Sequence, residues 1–353
     1  MRLEELDVNF AIPDSVKRDD IVWYDVRDGH FDLYGLCDPF DASQSFHRIP
    51  REVAEATNPG VAHLYLNTAG GRARFVTNST YIAILCELDG PMNLMSHMPL
   101  SGSQGFDLYR RSEEDGAWRF FRSFFPPNRA DITGFSGIQP LPAQTTAYML
   151  NFPLYGTVKS LRIGLQKDAI LEHGPAYEHT TPVVFYGSSI TQGGCASRPG
   201  NAYEAHLSNR FNFDYINLGF SGSARGERSI VDYMASLDMS VFVSDYDHNA
   251  PNLEHLEATL KPLYLAIRDK HPDIPYIFAS SPGVRTGEAR RLHVRKVYEE
   301  AVAAGDKNVY YVDGGHMFDG PYADGCTMEG CHPNDIGFYR MYEAFAKVFE
   351  LLF

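Results

Sequence analysis

Ser189, Asn249, Glu329 and His332 are the residue types of a nucleophilic acyl-transfer site. Such a site needs a hydroxyl to attack, an imidazole to take its proton, a carboxylate to hold that imidazole and a neutral amide to receive an oxyanion. Ser189 follows Val183-Val184-Phe185-Tyr186-Gly187-Ser188, an apolar run that breaks into small residues and continues as Ile190-Thr191-Gln192-Gly193-Gly194. A buried strand delivers a hydroxyl to its carboxyl edge in this way, and in open α/β sheets ligands bind at that edge. The same segment also reads as a plain strand-to-loop exit. Glu329-Gly330-Cys331-His332-Pro333-Asn334-Asp335 places a carboxylate three residues before an imidazole, although the spacing also suits a helix start and His-Pro is a common turn dipeptide.

Two segments between them supply the order that favours the catalytic reading. Tyr215-Ile216-Asn217-Leu218-Gly219-Phe220-Ser221-Gly222-Ser223 is a short strand pattern ending in small residues. Val241-Phe242-Val243-Ser244-Asp245-Tyr246-Asp247-His248-Asn249 is another, followed by a polar turn that presents an asparagine. A backbone N–H at Gly222 and the Asn249 amide suit an oxyanion, because neither needs a charge or a reorganising solvent shell.

These four stretches resemble the blocks of the SGNH (GDSL-type) hydrolase superfamily. Gly187-Ser188-Ser189-Ile190 resembles the first, Gly219-Phe220-Ser221-Gly222 the second, Asp247-His248-Asn249 the third and Glu329-Gly330-Cys331-His332-Pro333 the last, over about residues 181–353. The resemblance implies Ser189 as nucleophile and His332 as base, with the Ser189 and Gly222 amides and the Asn249 side chain as oxyanion donors. Three departures stand out. Ser188 replaces the aspartate of the name-giving block, the third block lacks the usual Gly-x-Asn-Asp form, and Glu329 stands where Asp is usual. Glu329, a backbone carbonyl or Asp324 are the candidates for orienting His332.

Ser101-Gly102-Ser103-Gln104-Gly105-Phe106-Asp107-Leu108-Tyr109 carries a Gly-x-Asp-Leu-Tyr signature that resembles an N-terminal module found ahead of one SGNH branch. Asn151-Phe152-Pro153-Leu154-Tyr155-Gly156 and Arg74-Phe75-Val76-Thr77-Asn78-Ser79 fit the same module. The pairing implies an esterase or acyltransferase branch that includes carbohydrate deacetylases.

The elements that must position these groups follow from pattern. Before about residue 175, short alternating segments separated by Gly, Pro and Asn turns predict an all-β sandwich of jelly-roll kind: Ala62–Leu66, Arg72–Val76, Tyr81–Leu85 and Trp118–Phe121. Glu172-His173-Gly174-Pro175-Ala176 reads as a linker. After it, strands alternate with helical segments at 201–211, 254–270, 287–304 and 335–352, and Leu256, Leu260, Leu263 and Ile267 lie on one helical stripe. Tyr276–Ala279 and Val309–Val312 read as buried strands. The fold class is α/β: a parallel sheet flanked by helices over 176–353, preceded by a β-sandwich module over 1–175. A chain of 353 residues fits two such domains.

Composition excludes several partners. Net charge is −14 and the pI about 5.3, which opposes nucleic-acid binding. No run reaches the roughly 18 apolar residues of a membrane span. Met1–Asp7 is acidic and lacks a secretory core, so a cytoplasmic location is expected unless a leader has been trimmed. Cys37, Cys86, Cys195, Cys326 and Cys331 read as free thiols, with a Cys195–Cys331 pair the alternative in an exported protein. Cys326 and Cys331 near His316 and His332 match no standard zinc spacing, so neither metal nor cofactor is expected. The chain has no Gly-x-x-x-x-Gly-Lys-Ser/Thr, no Gly-x-Gly-x-x-Gly after a strand and no Gly-x-Ser-x-Gly elbow.

The expected partner is a small-molecule or oligosaccharide ester, with lipid disfavoured because no exposed amphipathic segment suggests interfacial binding. Arg198, Tyr203 and His248 are candidates for the mouth, with surface placement or helix support the competing role. Three functions fit: an esterase acting on an acetylated carbohydrate, an acyltransferase using the same serine, and a carbohydrate-binding protein that has lost catalysis.

Overall fold

Five parallel strands carry the carboxyl-terminal half. They are β11 (His179–Gly187), β12 (Phe213–Gly219), β13 (Val241–Asp245), β14 (Tyr276–Ala279) and β15 (Val309–Val312), in the order β12-β11-β13-β14-β15. The computed structural model describes residues 16–283 and 287–353, so Met1–Asp7 lies outside the described residues. β11 shows why the sheet is buried on both faces. Val183 and Phe185 point into one core with Cys195, Tyr203, Leu207 and Phe345, while Val184 and Tyr186 point into the other with Ile230, Leu256 and Leu260. A strand alternates its side chains between faces, so both sets must be apolar where helices cover both sides.

Those helices are α4 (Tyr203–Phe211) and α8 (Asp335–Phe349) on one face, and α5 (Arg228–Ser236), α6 (Leu253–Lys270) and α7 (Glu288–Ala303) on the other. Leu256, Leu260, Leu263 and Ile267 of α6 are all buried, as their spacing requires. Asn252 caps α6 by accepting from the His255 N–H at 2.8 Å, and Asn334 caps α8 by accepting from Ile336 and Gly337.

The amino-terminal half is antiparallel. β1 (Ile21–Asp25), β9 (Val158–Gln166), β4 (Tyr81–Leu88) and β7 (Gly134–Pro140) form one sheet in the order β1-β9-β4-β7. β10 (Leu171–His173), β3 (Arg72–Thr77), β8 (Thr146–Asn151), β5 (Phe106–Arg111) and β6 (Trp118–Phe124) form the other in that order, and β2 (Asp32–Tyr34) adds to β3. Ile82, Ile84, Leu161 and Ile163 of the first meet Phe75, Phe106, Leu108 and Leu150 of the second in a sandwich core.

Two expectations are corrected. Ala62–Leu66 is not a strand: α1 (Arg51–Thr57) is followed by α2 (Pro59–Leu64). The local signal was Asn58-Pro59, since Asn58 accepts from the Val61 N–H at 2.9 Å and proline needs no N–H partner in a first turn. Glu172 and His173 are not linker but part of β10, because they pair with Val76 and Phe75, 96 and more residues earlier in the chain. A third short helix, α3 (Leu100–Ser103), precedes the Gly-x-Asp-Leu-Tyr strand.

The halves share cores. Ile49, Ala54, Val61 and Tyr65 pack with Ile230 and Met234 of α5, and Leu154 and Tyr155 pack with the residues around Ile190 and Cys195. Arg48, 1 % exposed, donates to the Asn217 and Gly219 carbonyls of β12 and to Leu64 O. Buried Arg72 pairs with Asp214. Among the described residues, no helix is long and apolar enough to cross a membrane.

Candidate active site

The parallel register sets the site. Gly187 at the end of β11 is opposite both Gly219 of β12 and Asp245 of β13, so three strands end at one level. Ser189, Gly222 and Asn249 follow two, three and four residues after those ends. The strand order also reverses direction at β11, and such a switch point opens a crevice at the carboxyl edge. Gly187 is required there: a Cβ would stand 2.0 Å from Thr191 Oγ1 and 2.5 Å from the Asp245 carbonyl.

Ser189 is 5 % exposed and faces His332. Its Oγ lies 2.8 Å from His332 Nε2, and His332 Nδ1 lies 2.6 Å from Glu329 Oε1. With Nδ1–H donated to the carboxylate, the serine hydroxyl donates to Nε2. Both Glu329 oxygens also accept the His332 backbone N–H, at 3.1 and 3.2 Å. The glutamate therefore turns back on its own loop, and its extra methylene is taken up by that turn. Burial raises the Glu329 carboxyl, but the bonds from His332 outweigh it and hold the group below its ordinary value. Asp324 stays exposed on a short turn, and His332 receives its carboxylate from Glu329.

The Ser189 turn is fixed from several sides. Ser188 Oγ accepts the Ile190 N–H at 3.1 Å, so this serine supplies a turn-stabilising acceptor at the position of the missing aspartate. The Ser189 carbonyl accepts from Gly194 N–H at 2.8 Å and from the Tyr155 hydroxyl at 3.1 Å. Among the described residues, no protein acceptor is bonded to the N–H of Ser189 or of Gly222. Gly222 has φ +67°, a conformation that favours glycine, and the space around it is open. Asn249 Nδ2 donates to Phe220 O at 2.9 Å, which ties the asparagine to the Gly222 loop with one of its two amide hydrogens.

Below the site lie buried carboxyls. Asp245 accepts from Thr191 Oγ1 and the Tyr203 hydroxyl, each at 3.2 Å, and burial with Asp247 nearby raises it to about 8. Asp247 accepts from the Ser281 N–H and hydroxyl, and burial raises it to about 6. Of the three mouth candidates, Tyr203 is core, stacked on Phe345 at 4.9 Å. Arg198 is held by Asp107 and Tyr109. Only His248 stands beside the site: its Nε2 lies 3.2 Å from Cys331 Sγ, and burial, with His332 and Arg290 nearby, lowers its value to about 4.

Sequence reasoning did not find what the amino-terminal half does here. Asp107, fully buried, accepts from Gly200 N–H at 2.9 Å, Arg198 at 3.2 Å and Asn151 at 2.7 Å. Tyr109 OH donates to the Gly200 carbonyl at 3.1 Å. The Asp and Tyr of the signature therefore grip the loop that leads from Ser189 to α4. On its other side Asp335 accepts from Ser197 N–H and Oγ, at 2.8 and 2.5 Å, which joins that loop to the first turn of α8, three residues after His332. Asn67 accepts from Gln192 Nε2 at 3.0 Å, and Gln192 Oε1 accepts the Ser221 N–H at 3.0 Å, next to Gly222. The signature marked Asp107 and Tyr109 as special, but the loop residues they grip, Arg198 and Gly200, are 89 to 93 positions away and no local pattern names them. Among the described residues, no disulfide joins any of the five cysteines.

Residues 180–350 match the model of the GDSL-like lipase/acylhydrolase family, and residues 21–171 match the model of the N-terminus of SGNH-hydrolase-type esterases. The chain belongs to the SGNH/GDSL-type hydrolases, with that amino-terminal module in front. Among solved structures it is similar to a protein described as a GDSL-like lipase from Bacteroides ovatus, with 26 % identity, coverage of 94 % of this chain and 98 % of that one, and a TM-score of 0.84. The salicylyl-acyltransferase SsfX3 of a tetracycline biosynthetic pathway shares the fold at 21 % identity, 95 % and 98 % coverage and a TM-score of 0.74. So does a family two carbohydrate esterase from Clostridium thermocellum, solved with cellohexaose, at 15 %, 81 % and 94 % coverage and 0.59. No curated protein matches the chain by sequence.

Proposed function

We propose that this protein is a serine esterase that removes a small acyl group, acetyl by preference, from a carbohydrate or similar alcohol. The observation that carries the reading is the continuous path from Ser189 Oγ to His332 Nε2 at 2.8 Å and from Nδ1 to Glu329 at 2.6 Å, with the Ser189 and Gly222 N–H groups taken up by no acceptor among the described residues.

His332 accepts the hydroxyl proton as Ser189 Oγ attacks the ester carbonyl. Glu329 holds the imidazole in the tautomer that leaves Nε2 free to accept, and it balances the charge of the imidazolium. The oxyanion forms against the Ser189 and Gly222 N–H groups and the second Asn249 amide hydrogen. His332 gives the proton to the leaving alcohol, and the acyl group stays on Ser189. Water then attacks the acyl-enzyme with His332 as base, and acetate leaves as Ser189 regains its proton. The carbohydrate side of the reading draws support from the fold shared with carbohydrate esterases, including an acetyl xylan esterase from Butyrivibrio proteoclasticus. The same serine chemistry with an acceptor alcohol in place of water would give an acyltransferase, and the fold is shared with one.

A panel of acetylated oligosaccharides and p-nitrophenyl esters of rising chain length tests the proposal, with and without added acceptor alcohols. Acetate release that peaks at the shortest acyl chain and disappears in Ser189→Ala is expected. Full activity in purified Ser189→Ala refutes the assignment, and product bearing the acyl group on the acceptor in preference to free acetate replaces hydrolysis by transfer.

A further inference from the structure

Around the Ser189–His332 pair the chain gathers soft ligands that the esterase chemistry does not use. The ligand atoms of His97, Cys195 and His332 all lie within 4.8 Å of one another. They come from three remote stretches of sequence: a turn of the amino-terminal half, the loop after Ser189, and the loop before α8. Cys195 is 3 % exposed, has φ +75°, and its thiol donates to the His97 carbonyl at 3.4 Å, so the two residues are already tied together. The His97 and His332 rings stand 5.5 Å apart, tilted by 43°. We propose that His97, Cys195 and His332 form a binding site for a thiophilic divalent cation of the Zn2+ class, and that filling it reversibly switches the esterase off.

Three features support the site. The donor set, two imidazoles and one thiol, suits zinc and not magnesium or calcium, which take oxygen ligands. Zinc bonds of about 2.0–2.3 Å at tetrahedral angles put ligand atoms roughly 3.3–3.8 Å apart, so only a small closure is needed. His97 lies on an irregular turn outside the sheets, where such closure breaks no ladder. Third, His332 Nδ1 is already bonded to Glu329, the carboxylate–imidazole arrangement that orients metal-bound histidines and raises their basicity. Nε2 is the nitrogen left to coordinate. The Cys195 loop approaches that side of the ring, since a Cβ on Gly194 would stand 3.3 Å from the adjoining Cδ2.

Coordination and catalysis then compete for one lone pair. Zinc on Nε2 removes the acceptor of the Ser189 proton. The Cys195 thiol proton leaves to solvent, the Cys195 sulfur and two imidazole nitrogens bind the ion, and a fourth position remains for water. No oxidant or reductant takes part.

The inhibition rests on the esterase reading; the binding does not, and two readouts keep them apart. In the first, EDTA-treated protein is titrated with Zn2+ during p-nitrophenyl acetate hydrolysis. The expected result is complete inhibition that EDTA reverses, with the half-inhibitory concentration raised at least tenfold in His97→Ala and Cys195→Ala, while both variants keep wild-type turnover without metal. In the second, Cd2+ is titrated into the same three proteins and into Cys331→Ala, and the thiolate-to-cadmium charge-transfer absorption is read, a signal that appears whether or not any ester is cleaved. One equivalent in wild type, lost in Cys195→Ala but kept in Cys331→Ala, supports the site. No band in wild type overturns it, as does a band that Cys331→Ala abolishes, which would move the ion to Glu329, Cys331 and His332. Zinc inhibition as potent in both variants as in wild type also overturns it. A band with the expected dependence in a protein that cleaves no ester leaves the site standing and sinks the esterase reading instead.

Discussion

Replacing Glu329 by glutamine asks how much of His332's work depends on a charge, and the structure sets the scale. The Glu329 side chain is 40 % exposed and that of His332 20 %. At about 4 Å between charge centres, a carboxylate and an imidazolium attract by about 4 kcal/mol at an effective dielectric constant of about 20 and about 1 kcal/mol in bulk water. A half-exposed pair falls between, near 2 kcal/mol, which corresponds to about 30-fold in rate. Glutamine keeps an oxygen that can accept Nδ1–H, so the tautomer survives and only the charge is lost. Glu329→Gln should therefore lower kcat about 30-fold with KM unchanged, far less than the roughly 10⁴-fold lost when an amide in place of a triad carboxylate imposes the wrong imidazole tautomer. Steady-state kinetics on p-nitrophenyl acetate, with Ser189→Ala as the floor and circular dichroism as the folding control, measures it. A loss near 10⁴ would mean that the glutamine turns its amide N–H toward Nδ1 and reverses the tautomer, which would refute the charge-only account. A loss below twofold would pass the orienting role to a backbone carbonyl. Because the bonds from His332 hold the carboxyl below its ordinary value, its protonation should affect activity only on the acid side of about 4.5.

Other perturbations test separate parts. Asn249→Ala should cut kcat by about 10²–10³ through loss of one oxyanion donor, with native circular dichroism; an unchanged kcat would leave Asn249 only the role of holding Phe220 O. Asp107→Ala strips a buried carboxylate from Arg198 and Gly200, and breaking such a pair costs about 3–5 kcal/mol when fully buried, less here because the Arg198 side chain is 21 % exposed. Its kcat should fall although Asp107 touches no reacting atom, Asp107→Asn should recover part of it, and a variant as stable and as active as wild type would dismiss the clamp. Asp245 sits at about 8 in the folded protein against about 3.8 unfolded, so folding takes up a proton between those values. Its contribution is complete below about 4 and is lost as pH rises toward 8, with a slope of at most about 1.4 kcal/mol per pH unit. Urea melts of Asp245→Asn should show a flatter decline over that window than wild type, and parallel curves would refute the neutral-carboxyl reading.

Chain chemistry alone settled much of this molecule. The apolar runs ending in Ser189, Gly222 and Asn249 defined strands and their ends, because a parallel sheet covered on both faces needs continuous hydrophobic runs and its loops need small and polar residues. The stripe of Leu256, Leu260, Leu263 and Ile267 defined α6 for a similar local reason. Where local signals competed, the reading failed: Asn58-Pro59 began a helix in a stretch that alternated like a strand, and Glu172 became a strand only because Val76 was there to pair with it. Tertiary structure alone decided that Glu329 folds back to His332, that Asp107 and Tyr109 of one half hold the Ser189 loop of the other, and that His97 comes to stand beside Cys195 and His332. Periodicity and turn chemistry act over a few residues, whereas these contacts join groups of which most lie 90 or more positions apart, and only the packing of two sheets against a third brings them within bonding distance.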